Sequence, residues 1–289
     1  MPRPFFIVGS GRCGATWLYE ILRHHERIAL TNEARVLDFL YFCNELVNLP
    51  SSRLGACVPC ESITMRGLVR DAYLPTLSKV FLRHCKDICE AFYREHFADR
   101  DYLWWGDKLP DPRVALGAQR LWPDARYLLL VRDPRDVLCS WRAFAKRREV
   151  HEQHPELLDY PASILAASWQ AIYSGLPQEL DDVMILRYED LCAQPRQHIE
   201  AFLGYLDLAW SDSVAQALRA NRSFEIHGTS ASLEASLGRW RSELSAADVE
   251  IIEGVCSDVM QTFGYEVAGQ LPREPVHGQL DGDGIDSRP

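Results

Sequence analysis

The chain has 289 residues, 47% hydrophobic and 25% charged, with 41 acidic against 31 basic side chains and a net charge of -10. That mixture excludes a disordered or fibrous chain, and the length fits one large domain or two small ones. The acidic balance excludes a general nucleic-acid coat but leaves room for a local cationic pocket.

Residues 5–8, Phe5-Phe6-Ile7-Val8, form the continuous apolar run of a buried strand, and a glycine turn follows at 9–14. Trp17, Leu18, Ile21 and Leu22 place a helix over 15–25. Asn32 can cap a second helix, from Glu33 to about residue 48, carried by Val36, Leu37, Leu40 and Tyr41. The spacing predicts a long helix over 65–97, interrupted near Pro75, and a short strand over 102–105 that leads into Gly106-Asp107-Lys108. Residues 114–121 continue a helix from Pro112, and 126–131 read as a central strand. Pro134 starts a helix through Val137, Leu138, Trp141 and Phe144; a further helix covers 164–176, and 183–186 is a strand. Helices from Pro195 and over 246–263 complete the pattern.

Strands separated by helices imply an α/β fold, a central parallel sheet flanked by helices. The expected organisation is one domain over 1–268 and a flexible polar tail over 269–289, where Gly, Pro and Asp accumulate. Nine scattered cysteines, with no signal-like start, read as free thiols of a cytoplasmic protein. The pairs Cys57/Cys60 and Cys85/Cys89 could offer four thiolates to zinc; a turn plus two buried helical cysteines is the simpler account, and no metal is expected. No run approaches eighteen apolar residues, so no membrane span is expected.

Two motifs carry chemistry. The first is Gly9-Ser10-Gly11-Arg12-Cys13-Gly14-Ala15-Thr16-Trp17, set between a strand and a helix, where amides and the positive helix end make an oxyanion cradle. It imitates a Walker A loop with Thr16 at the hydroxyl position, but Ala15 stands where the lysine belongs and the positive charge sits at Arg12. No partner acid for magnesium is evident, which disfavours a P-loop kinase or NTPase. The second motif is Arg132-Asp133-Pro134-Arg135-Asp136, followed by Ser140. Arg132 ends a strand, and with Ser140 two helical turns on it can hold a second phosphate. Pairing of both arginines with Asp133 and Asp136 is the competing account.

With these motifs in this order, the chain resembles the PAPS-dependent sulfotransferases of the bacterial and Golgi type, whose P-loop-like fold transfers a sulfuryl group from 3'-phosphoadenosine 5'-phosphosulfate (PAPS) and releases PAP. The resemblance implies that Arg12, Cys13, Gly14, Ala15, Thr16 and Trp17 hold the 5'-phosphosulfate and that Arg132 and Ser140 hold the 3'-phosphate. Arg187-Tyr188-Glu189-Asp190-Leu191 resembles the R-Y-E-D-L segment whose tyrosine, here Tyr188, lies near the adenine. Gly238-Arg239-Trp240-Arg241 resembles the loop that closes on the nucleotide, with Arg239 a phosphate ligand. Gly11, Cys13 and Ala15 replace the proline, serine and threonine common in the first loop.

Sulfuryl transfer needs charge stabilised on a departing phosphate and a proton taken from the acceptor. Gly106-Asp107-Lys108-Leu109-Pro110 resembles the G-E-K-[ST]-P pattern of Golgi-type relatives, so Lys108, with Arg12, is the expected leaving-group partner. The histidine of K-T-H-L-P relatives is absent, and Glu33 is the preferred base, ahead of His24, His25 and Asp107. Phe39, Tyr41, Phe42, Trp104, Trp105, Trp141 and Trp169 are candidates for an aromatic acceptor cleft or for the core. The expected partner is a small-molecule, lipid or carbohydrate acceptor, with no nucleic acid; a homodimer stays open. A catalytically inactive binding protein of the same fold is the alternative.

Overall fold

The computed structural model describes residues 2–34, 36–37, 63–109, 111–154, 157–220 and 228–268. In chain order the elements are β1 (Arg3–Gly9), α1 (Ala15–Leu22), β2 (Ile28–Asn32), α2 (Ile63–His96), β3 (Trp104–Lys108), α3 (Val114–Leu121) and β4 (Arg126–Val131). They continue with α4 (Pro134–Ala145), α5 (Arg148–Gln153), α6 (Ala162–Glu179), β5 (Val183–Arg187), α7 (Tyr188–Ala193), α8 (Pro195–Tyr205) and α9 (Asp212–Ala220). A 3-10 turn (Glu234–Ser236), α10 (Trp240–Glu243) and α11 (Ala246–Thr262) close the series.

Among the described residues the strands form one sheet in the order β2-β3-β1-β4-β5, every neighbouring pair parallel. Side chains alternate across it, so each central strand feeds two cores. Phe6, Val8, Leu129 and Val131 pack with residues of α2, α3, α4, α6 and α11. Phe5, Ile7, Leu128 and Leu130 pack with those of α1, α7, α8 and α9. Both faces are covered, which is why these strands read as unbroken apolar runs.

After β1 the chain moves to β2 on one side; after β4 it moves to β5 on the other. The crevice between the carboxyl ends of β1 and β4 is therefore a topological switch point, where open α/β sheets bind ligands. Glycines 9, 11 and 14 also satisfy the G-x-G-x-x-G spacing of dinucleotide-binding sheets, but there β1 lies beside β2, whereas here it lies beside β3.

Three expectations are corrected. Residues 28–32 form a strand, and Asn32 ends it instead of capping a helix. Glu33 is not helical: its φ of 54° is left-handed. Most of the helix expected from Glu33 to about 48 lies outside the described residues. The strand expected at 102–105 is Trp104–Lys108, so Gly106 and Asp107 are strand residues. Gly106 is there because the backbones approach closely, a Cβ at that position falling 2.0 Å from the Phe5 carbonyl oxygen. The helix α2 also passes through Pro75 unbroken, since a proline removes one helix hydrogen bond without having to end a long helix. No helix among the described residues is long and apolar enough to cross a membrane.

Gly106→Ala should lower the free energy of unfolding by about 3 kcal/mol, because neither Phe5 nor its strand can move aside without breaking the sheet. A urea titration with an unchanged midpoint would contradict the close β1–β3 approach.

Candidate active site

At the switch point lies a cavity of about 250 Å³, lined by Gly9 to Trp17, Glu33, Lys108, Arg132, Ser140 and Tyr188. The turn leaves β1 and reverses into α1 through two left-handed residues, Arg12 (φ 68°) and Gly14 (φ 100°). At Gly14 a Cβ would also sit 2.4 Å from the Tyr188 ring, so only glycine fits. The Cys13 N–H donates to the Ser10 carbonyl at 3.2 Å. The Ser10 N–H donates to the Tyr173 hydroxyl at 2.9 Å, and that hydroxyl donates to the Leu130 carbonyl at 2.7 Å. Tyr173 thereby ties the turn to β4. The first turn of α1 faces the cavity with N–H groups that have no partner within a helix.

On one side of the cavity the cations crowd together. Arg12 Nε donates to Ser140 Oγ at 3.2 Å, and its guanidinium lies 4.7 Å from the Phe144 ring centroid. Arg132 is 4% exposed. Its Nη1 and Nη2 donate to the carbonyls of Arg12 at 3.0 Å and Ser236 at 2.7 Å, while its Nε finds no partner among the described residues. Arg147 donates to the Gly228 carbonyl on the cavity wall. Burial, with Arg132 and Arg147 close by, pushes Arg12 down to about 10.

Across the cavity Lys108 ends β3 with its side chain buried. Its Nζ forms an ion pair with the Glu33 carboxylate and lies 3.5 Å from Thr16 Oγ1. The Glu33 N–H donates to the Lys108 carbonyl at 3.1 Å. Behind them Asp107 is 1% exposed, and its Oδ1 accepts from the Thr31 hydroxyl at 2.8 Å. Burial pushes its carboxyl up to about 6.

The fold thus brings Arg12, Cys13, Gly14, Ala15, Thr16, Trp17, Glu33, Lys108, Arg132, Ser140 and Tyr188 to one cavity. The Arg12 side chain reaches Ser140, on the Arg132 side. Tyr188 is buried, its hydroxyl 2.9 Å from Ser236 Oγ and its ring 4.3 Å from the Arg132 guanidinium carbon. Among the described residues Arg239 touches the site through Thr229, donating to its carbonyl at 3.1 Å and its hydroxyl at 3.2 Å, and it pairs with Glu243. The Cys13 thiol is 2% exposed and burial raises its pKa, which suits an inert thiol. His25 bonds the Ala209 carbonyl away from the cavity.

The second motif divides. Arg135, 3% exposed, pairs with Asp133 at 2.7 Å and Glu253 at 2.6 Å, and lies 3.8 Å from the Trp240 ring centroid. Asp133 also caps α4 through the Arg135 N–H, and Asp136 accepts the N–H groups of Gly238 at 2.7 Å and Trp240 at 3.0 Å. Arg132, whose described hydrogen bonds all go to carbonyls, is left to face the cavity. Of the described aromatic candidates Trp104, Trp105 and Trp169 are core residues and Trp141 lines the cavity; 39, 41 and 42 lie outside the described residues. Cys85 and Cys89 are buried, and Cys57 and Cys60 lie outside the described residues. Sequence reasoning missed Thr229 and Ser236 on the cavity wall, and Tyr173 beneath the turn. The polar run Gly228-Thr229-Ser230 was the available signal for the first.

A family model described as the Sulfotransferase family matches residues 4–212. The chain belongs to the sulfotransferase family. Human carbohydrate sulfotransferase 1 is 26% identical over 176 residues, which is 55% of this chain and 41% of that protein, so the chain spans about two-fifths of its length. Among solved structures, the sulfotransferase domain of the Synechococcus PCC 7002 olefin synthase superposes with a TM-score of 0.57 at 17% identity, covering 92% of this chain and 96% of that one. Mouse sulfotransferase SULT7A1 complexed with PAP gives 0.50 at 11% identity, covering 89% and 84%. These likenesses extend the sulfotransferase fold beyond the family-matched region.

The buried Asp107 sets a pH dependence. Its pKa is raised in the folded state, from 3.8 to about 6, so the stability owed to its neutral form is complete below about pH 4 and is lost as the pH rises through about 6. The change is on the order of 3 kcal/mol. Denaturation of the protein and of Asp107→Asn across pH 4–7 should show this slope in the first and its absence in the second; parallel curves would contradict it.

Proposed function

We propose that the protein transfers a sulfuryl group from PAPS to a hydroxyl or amine of a small-molecule, lipid or carbohydrate acceptor. The observation that carries this reading is the buried cation cluster. Arg12 and Arg132 are held out of water, burial first and the neighbouring Arg132 second lowering the proton affinity of Arg12, and Arg132 Nε has no partner among the described residues. Such a cluster is relieved by an anion of high charge, and Ser140 with Thr229, 3.0 Å apart, adds two hydroxyls. These groups fit the 3'-phosphate of PAPS, and the start of α1 with Thr16 and Lys108 fits its 5'-phosphosulfate. The family match, and a neighbour of the same fold complexed with PAP, support the choice of ligand.

PAPS, when bound, supplies the activated sulfuryl group. Lys108 brings a cation to the Thr16 side of the cavity, where charge develops on a departing phosphate. Glu33, facing the same space, is the carboxylate available to take the acceptor's proton at its Oε atoms. The turn and Tyr188 wall the cavity and limit water. A P-loop kinase or NTPase is disfavoured because Ala15 supplies no lysine.

Calorimetry with PAP and with adenosine 5'-monophosphate should show a loss of about 100-fold when the 3'-phosphate is absent, and Arg132→Ala should remove most of that difference. Equal affinities would overturn the assignment of donor. With a labelled donor and a panel of phenols, alcohols and sugars, Glu33→Gln should lower kcat by about 100-fold or more and leave PAP affinity within threefold. No transfer by the unaltered protein to any acceptor, with PAP bound, would instead indicate a binding protein.

A further inference from the structure

We propose that Asp107 is a positioning residue, whose buried carboxylate oxygen holds the left-handed turn that presents Glu33 to Lys108 and the cavity. The inference rests on the reading of Glu33 as base. A glutamate rarely adopts a φ of 54°, so the surrounding structure must hold it there. Two bonds from the end of β3 do so. The Glu33 N–H donates to the Lys108 carbonyl at 3.1 Å, and the Ala34 N–H donates to Asp107 Oδ1 at 3.4 Å.

The same Oδ1 accepts from the Thr31 hydroxyl at 2.8 Å. One oxygen on β3 therefore grips the chain on both sides of Glu33, at residues 31 and 34. That oxygen is itself fixed from α2, because Tyr93 places its hydroxyl 2.7 Å from Thr31 Oγ1 and its ring against Trp105, centroids 4.3 Å apart. Asp107 is 1% exposed and is not among the cavity-lining residues, so it acts through Glu33 and does not touch substrate.

Burying this carboxyl is costly, and Oδ2 finds no hydrogen-bond partner among the described residues. A fully apolar residue would fill the space at lower cost but could not hold the turn. The ionisable groups that face it are Lys108 on its own strand, Glu33 beyond β2, Tyr93 on α2 and Tyr19 on α1.

The test measures kcat and PAP affinity for Asp107→Ala, Asp107→Asn, Ala34→Pro, Glu33→Gln and the double variant Asp107→Ala/Glu33→Gln. Asp107→Ala should lower kcat about 10- to 100-fold with PAP affinity within about threefold. Asp107→Asn keeps an acceptor oxygen and should bring kcat back to within about fivefold. Adding Asp107→Ala to Glu33→Gln should cost less than about threefold more, because residues acting as a unit are not additive. Should Asp107→Ala not fold, Ala34→Pro removes the held N–H with Asp107 intact and must give the same kcat loss. The proposal is overturned by near-normal kcat in Asp107→Ala or, where that fails to fold, in Ala34→Pro. It is also overturned by Asp107→Asn as slow as the alanine variant, or by multiplied losses in the double variant. Normal turnover in Glu33→Gln overturns the base assignment and this proposal with it; a slow Glu33→Gln beside a normal Asp107→Ala overturns this proposal alone.

Discussion

Like charges held out of water beside one glycine turn are the constraint around which the carboxyl end of this sheet is organised. Arg132 reaches under the turn to its carbonyl at Arg12, so the residue that carries one cation is also the backbone on which the other rests. Burial first, and then the nearness of Arg132 and Arg147, lowers the proton affinity of Arg12 at the wall of the cavity.

The geometry that keeps the turn in place is distributed over distant chain segments. Tyr173 on α6 links Ser10 to β4, Tyr188 after β5 fills the space that a side chain at Gly14 would need, and Ser236 receives both Arg132 and Tyr188. The Glu33–Lys108 pair occupies the other end of the cavity and depends on an outer strand, β2, which among the described residues is paired on one side only. One end of the site is therefore built from the sheet centre and the other from its rim.

The parallel sheet, the glycine turn and the strand-end arginine were legible because each has a local signature: an apolar run, glycines before a helix, a proline just after the strand. Two features were not. β2 carries Thr31 and Asn32 among its apolar residues, and Asn32 before an acidic residue looks like a helix start; only pairing with β3 makes those residues a strand. Likewise Gly106-Asp107 has the composition of a turn, and its strand conformation follows from contact with β1, far away in sequence. The direction taken by Arg12 was hidden for a similar reason, since Ser140 and Phe144 are brought to it by the fold and not by spacing along the chain.

The family-matched region stops at residue 212, yet Arg135 joins the corner of β4 to Glu253 on α11 and to Trp240, and Asp136 holds the backbone of residues 238 and 240. Without the final helix that corner would keep a buried guanidinium and lose one of its two carboxylates, a change of the kind that destabilises by about 3–5 kcal/mol. A fragment that keeps both carboxylates of Arg135 therefore extends past residue 212, at least through Glu253, and α11 braces the corner of β4 beside the cavity.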